Sequence, residues 1–125
     1  MPKTVLLADD HEDNRLALQM MLERAGYRTL GAHDGQEAVD LALEHRPDLI
    51  VMDLAMPVMD GREANFALKA DARTRDIPVL MLTAMALSID RESLAKEGFE
   101  GVLIKPILPS ALLNDVHTRI GPPNE

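Results

Sequence analysis

The 125-residue chain has no cysteine and no tryptophan, and only one tyrosine and two phenylalanines. Without cysteine, neither a disulfide framework nor a thiolate metal site can form. Positive charge is also short: 13 lysines and arginines face 21 aspartates and glutamates, for a net charge of -8. A surface of that sign repels phosphate backbones and argues against direct binding of nucleic acid. Long apolar runs are missing too. None approaches the ~20 residues that span a bilayer, and the N-terminus has no apolar signal stretch. A soluble cytoplasmic protein without a membrane partner is expected. No low-complexity linker or internal repeat interrupts the chain, and its length suits one domain with its own core. With few aromatics and 8 methionines, that core must be aliphatic and methionine-filled.

What the chain does have is alternation. Continuous apolar runs at Val5–Ala8, Leu49–Met52, Val79–Leu82 and Val102–Ile104 suit parallel strands buried on both faces. A weaker run, Arg28–Ala32, reads as an edge strand. Between the runs the spacing turns helical. Leu18, Met21, Leu22 and Ala25 form a stripe closed by Gly26, and Ala38, Leu41 and Ala42 form another ahead of Pro47. Further helices are expected near 62–70, 86–97 and 109–119. Strand and helix repeated five times predict an α/β fold, a doubly wound parallel sheet of five strands covered by five helices. The domain is expected to occupy residues 1–121, with 122–125 a disordered tail.

The chemistry gathers at the strand ends. The first run stops at Asp9 and Asp10, the third strand at Asp53, the fourth at Thr83 and the fifth at Lys105. In open parallel sheets, ligands bind in the crevice beyond those carboxyl ends. A single aspartate there is ordinarily a helix N-cap, and a threonine or a lysine there is unremarkable by itself. Two adjacent aspartates exceed what one cap needs. If the first and third strands are neighbours, three carboxylates meet, and their repulsion calls for a proton or a cation. A hard, oxygen-seeking ion such as Mg²⁺ is the natural bridge, and it leaves room for a phosphate oxygen.

Five features occur together in order: Leu7-Ala8-Asp9-Asp10, Asp34-Gly35, Asp53-Leu54-Ala55-Met56-Pro57-Val58-Met59-Asp60-Gly61, Thr83-Ala84 and Lys105-Pro106. On these motifs the sequence resembles the receiver domain of bacterial response regulators over nearly its whole length. The resemblance implies a flavodoxin-like sheet of order 2-1-3-4-5, which would set the acid pair beside Asp53. It also implies a phosphoacceptor of two-component or phosphorelay signalling rather than an enzyme. Asp53 would take a phosphoryl group from a phosphohistidine on a histidine kinase or histidine phosphotransfer protein. Asp10 and Asp53 would ligate Mg²⁺, Asp9 would act mainly through water, and the backbone carbonyl of Ala55 would add an oxygen. Lys105 would neutralise a phosphoryl oxygen, and Thr83 would donate its hydroxyl to another. The Lys105-Pro106 bond is expected to be cis. A downstream protein, or an output domain outside this chain, would read the state of Asp53.

Three departures from the family pattern matter. Val102 stands where many receivers carry a switching phenylalanine or tyrosine, so the aromatic half of the usual switch is missing. Ile107 replaces a residue that is often aromatic. Ala55 and Met85 stand where polar side chains influence attack of water on the phosphoryl group, which predicts a long-lived phosphoaspartate. Ala55 also lies where a haloacid-dehalogenase-like phosphatase would place its general acid, which counts against that alternative. A receiver reduced to an unphosphorylated scaffold is the remaining alternative, opposed by the retained Asp9, Asp10, Asp53, Thr83 and Lys105. Leu16, Ala17, Leu18, Met20, Met21 and Leu22 make the first helix apolar over more than one stripe. That helix is either packed on two sides or a docking face for a kinase or phosphotransfer helix. Met56, Met59 and Met85 are expected in loops around the site. The four histidines show no metal-ligand spacing; His11, directly after the acid pair, reads as a solvated loop residue ahead of the alternative that it tunes metal affinity.

Overall fold

The computed structural model describes residues 2–84 and 90–124. Five strands, β1 (Thr4–Ala8), β2 (Arg28–Ala32), β3 (Leu49–Asp53), β4 (Val79–Thr83) and β5 (Gly101–Ile104), alternate with five helices. These are α1 (Glu12–Arg24), α2 (Gly35–His45), α3 (Gly61–Ala70), α4 (Arg91–Glu97) and α5 (Pro109–Ile120). All strand pairings are parallel, in the order β2-β1-β3-β4-β5. The first part of the helix expected over 86–97, and Met85 before it, lie outside the described residues.

Side-chain alternation divides the core in two. Val5, Leu7, Leu49, Val51, Leu80 and Leu82 point to one face, where α1 and α5 cover them with Leu18, Leu22, Leu112 and Val116. Leu6, Ala8, Ile50, Met52, Val79 and Met81 point to the other, under α2, α3 and α4. A strand covered on both faces has no polar side to show, which is why β1, β3 and β4 read as unbroken apolar runs. β5 departs from that expectation. Only Leu103 is buried in it, and Ile104 is exposed, because β5 is the edge of the sheet.

Local signals set where the helices begin. Asp34, Asp60 and Asp90 cap α2, α3 and α4 with their carboxylates, and Asp60 and Glu63 form a full capping box. Residues 122–124, expected to fray, fold back: the Lys3 N–H donates to the Pro123 carbonyl at 2.8 Å. No described helix is long and apolar enough to cross a membrane.

Candidate phosphoacceptor site

Register delivers the site. Ala8 pairs with Met52, so the residues that follow, Asp9 and Asp53, stand side by side at the ends of β1 and β3. Asp53 pairs with Leu82 and Leu82 with Leu103, which puts Lys105 two strands away and two residues farther along. By alternation Asp9, Asp53 and Lys105 share the side of the sheet covered by α1 and α5. The lysine stem spans the gap: its Nζ donates to Asp53 Oδ2 at 2.6 Å and lies 3.5 Å from Asp9 Oδ2. The Lys105-Pro106 bond is cis. Thr83 ends β4 in a buried position, and its carbonyl accepts the Lys105 N–H at 2.8 Å.

None of the site aspartates serves as a helix cap. Asp53 Oδ1 accepts the Ala55 N–H at 3.1 Å, and Asp9 Oδ1 accepts the His11 N–H at 2.9 Å. Asp9 and Asp53 are buried, whereas the Asp10 side chain is 30% exposed. Asp9 Oδ2 is buried with no close hydrogen bond, and its compensation comes from the Lys105 ammonium 3.5 Å away. Burial pushes the Asp53 carboxyl above the usual carboxylate range, against the pull of its bonds to Lys105 and the Ala55 N–H. Burial also works to lower the Lys105 ammonium, but its bond to Asp53 and the negative charges of Asp53 and Asp9 outweigh this and raise it. One cation thus serves two buried carboxylates, leaving a negative excess.

That excess fits a hard divalent ion. Single ligand atoms from Asp9, Asp10, His11 and Asp53 all lie within 4.8 Å of one another. The three carboxylates, one with an unbonded buried oxygen, have the donor type that Mg²⁺ takes. His11, read as a solvated loop residue, is indeed exposed, yet its Nδ1 sits 3.2 Å from Asp10 Oδ1 and 3.4 Å from Asp9 Oδ1.

The family profile of the response regulator receiver domain matches residues 5–117. The chain belongs to that family. It is therefore a receiver domain of two-component signalling. It is 39% identical over 121 residues to the polar-differentiation response regulator DivK of Brucella anthropi, spanning 97% of this receiver and 98% of DivK. Among solved structures, chemotaxis protein CheY4 of Vibrio cholerae superposes with a TM-score of 0.89 at 33% identity, over 95% of this receiver and 99% of CheY4. The receiver domain of a Pseudomonas aeruginosa sensor histidine kinase, solved with a magnesium ion coordinated in its active-site cleft, gives 0.88 at 35% identity, over 97% and 99% of the two chains.

Two glycines named in the sequence only as motif members are packing requirements of the site. A side chain at Gly61 would place its Cβ 2.4 Å from the Asp53 carbonyl, and one at Gly35 would meet the Met59 carbonyl at 2.0 Å. Each glycine follows a capping aspartate, so the repeated Asp-Gly pair was the available signal. Arg15 donates from α1 to the Asp9 carbonyl at 2.9 Å, a contact with no local signature. In the loop after β3, Val58 has a positive φ of 67° and a side chain open to solvent. A β-branched residue in that region stores strain of about 1–3 kcal/mol beside the site.

Proposed function

We propose that this receiver, residues 1–121, accepts a phosphoryl group on Asp53 from a phosphohistidine of a histidine kinase or histidine phosphotransfer protein. The observation that carries the reading is the buried Asp53 carboxylate, bonded to Lys105 at 2.6 Å within a cluster of acids. A carboxylate oxygen attacks phosphorus, the bond to the histidine nitrogen breaks, and an acyl phosphate remains. Asp9, Asp10 and Asp53 would hold Mg²⁺, with the Ala55 carbonyl as a further ligand. Bound there, the ion supplies positive charge to the phosphoryl oxygens. Lys105, already at Asp53, neutralises one of those oxygens, and the Thr83 hydroxyl donates to another. The protein's part is placement and charge, as is general for phosphoryl transfer. We place the reaction in the cytoplasm, with a downstream protein or an output domain outside this chain as the reader. Relative exposure supports α1 as the kinase-facing surface: Leu18 and Leu22 are buried, whereas Leu16 and Met20 are 46% and 51% exposed.

Incubation with Mg²⁺ and a small phosphodonor tests the proposal. One phosphoryl group should appear by mass, and neither Asp53→Asn nor the chelated wild type should gain it. Equal labelling of Asp53→Asn would move the acceptor elsewhere, and no labelling of the wild type would leave the scaffold reading.

A further inference from the structure

We infer that the cleft between α3 and α4 binds an acidic segment of a partner protein, anchored by an apolar side chain set against Phe66. The cleft encloses about 440 Å³ and is lined by Arg62, Phe66, Lys69, Ala70, Lys96 and Glu97. The chain has three aromatic residues. Two of them, Tyr27 and Phe99, are 5% and 4% exposed, while Phe66 is 76% exposed. The core therefore does not use this ring. Arg62 and Ala70, one turn to either side, share its stripe of α3, and α4 supplies the facing wall.

Charge identifies the occupant. Residues 61–97 hold six acids and six bases, so the whole excess of eight negative charges lies elsewhere in the chain. Within the cleft three cations face one acid. Arg62 pairs with Glu97 at 3.3 Å, and Lys69 donates to the carbonyls of Arg75 and Ile77. Lys96, on the exposed face of α4, has no hydrogen-bond or ion-pair partner among the described residues. An acidic segment is attracted to these cations, whereas the chain's net charge of -8 disfavours it elsewhere, which gives direction as well as affinity. A simple anion would leave the ring unused, whereas an apolar side chain beside acidic ones satisfies both halves of the cleft. The walls are also tied together in advance. Asn65 donates from α3 to the Glu97 carbonyl at 2.8 Å, and the Arg62–Glu97 pair adds a second tie, so little ordering is left to binding.

The test uses the intact chain and a capped nonapeptide with three glutamates on each side of a Leu-Phe-Leu centre, titrated while backbone amide shifts are followed. Saturable shifts should centre on residues 62–70 and 96–97. Phe66→Ala and Lys96→Glu should each weaken binding about tenfold, and a version with lysine for glutamate should not bind. Both substitutions are at exposed positions, so thermal unfolding should match wild type and exclude misfolding. Shifts absent from the cleft, unchanged affinity in both variants, or equal binding of the lysine peptide would each overturn the inference. So would self-association that Phe66→Ala abolishes, since the occupant would then be a second copy.

Discussion

Asp53 experiences two opposed influences that pH can separate. Burial favours its protonated form, and Lys105 favours the ionised one, with burial the stronger. The folded carboxyl therefore binds its proton more tightly than an unfolded one. Its contribution to stability is present at low pH and is lost as pH rises through the elevated folded value. Asp53→Asn removes that loss. The stability advantage of Asp53→Asn over wild type should grow with pH across that interval and then level off, in metal-free urea unfolding at a series of pH values. The second expectation at this scale concerns hydrolysis. Ala55 gives Asp53 its N–H, and its methyl side chain has no polar atom with which to orient a water. Asn at Ala55 together with Glu at Met85 should change the decay rate of the phosphoaspartate several-fold, read as loss of the 32P-labelled protein over time. An unchanged rate would remove side-chain control by these two positions.

At the scale of elements, the turn from β3 into α3 is the tightest part of the site. Gly61 follows the cap Asp60 and passes against the Asp53 carbonyl. Gly61→Ala should cost about 1–3 kcal/mol in urea unfolding, from overpacking against backbone that cannot move aside. It should also slow the proposed phosphorylation, because the same backbone carries Asp53. Most elements were legible because their causes are local. Buried parallel strands print as apolar runs, and Gly26 and Pro47 mark helix ends. β5 was misjudged because its exposure depends on what lies beside it in the sheet, which a run of three apolar residues does not encode. That Asp9, Asp10, Asp53 and Lys105 would gather was legible because each ends or directly follows a strand, as Thr83 also does, and the sheet makes strand ends converge. Arg15 was not, since side-chain direction on a helix is decided by tertiary contacts.

Over the whole molecule, apolar exposure separates surfaces with different work. On α1, Leu16 and Met20 lie one turn apart and face outward. The alternative of a helix packed on two sides does not hold for them. Leu16→Glu with Met20→Glu should leave thermal unfolding within about 1–2 °C of wild type, as surface substitutions do when nothing rests on them. Phosphoryl transfer from the cognate kinase should fall by at least tenfold, while labelling by a small phosphodonor should not change. That contrast separates lost docking from lost chemistry.

Among the described residues the aspartates that begin helices are Asp34, Asp60 and Asp90, and those of the candidate site begin none. Helix capping and the proposed chemistry are therefore held by different residues of one kind. On the proposed function, a lineage carrying this domain can discard Asp53 in one substitution and keep the helix starts at Asp34, Asp60 and Asp90, the cores and both outward surfaces. Loss of signalling chemistry is then a short evolutionary step that leaves an adaptor intact, whereas loss of a capping aspartate erodes the scaffold on which either role depends.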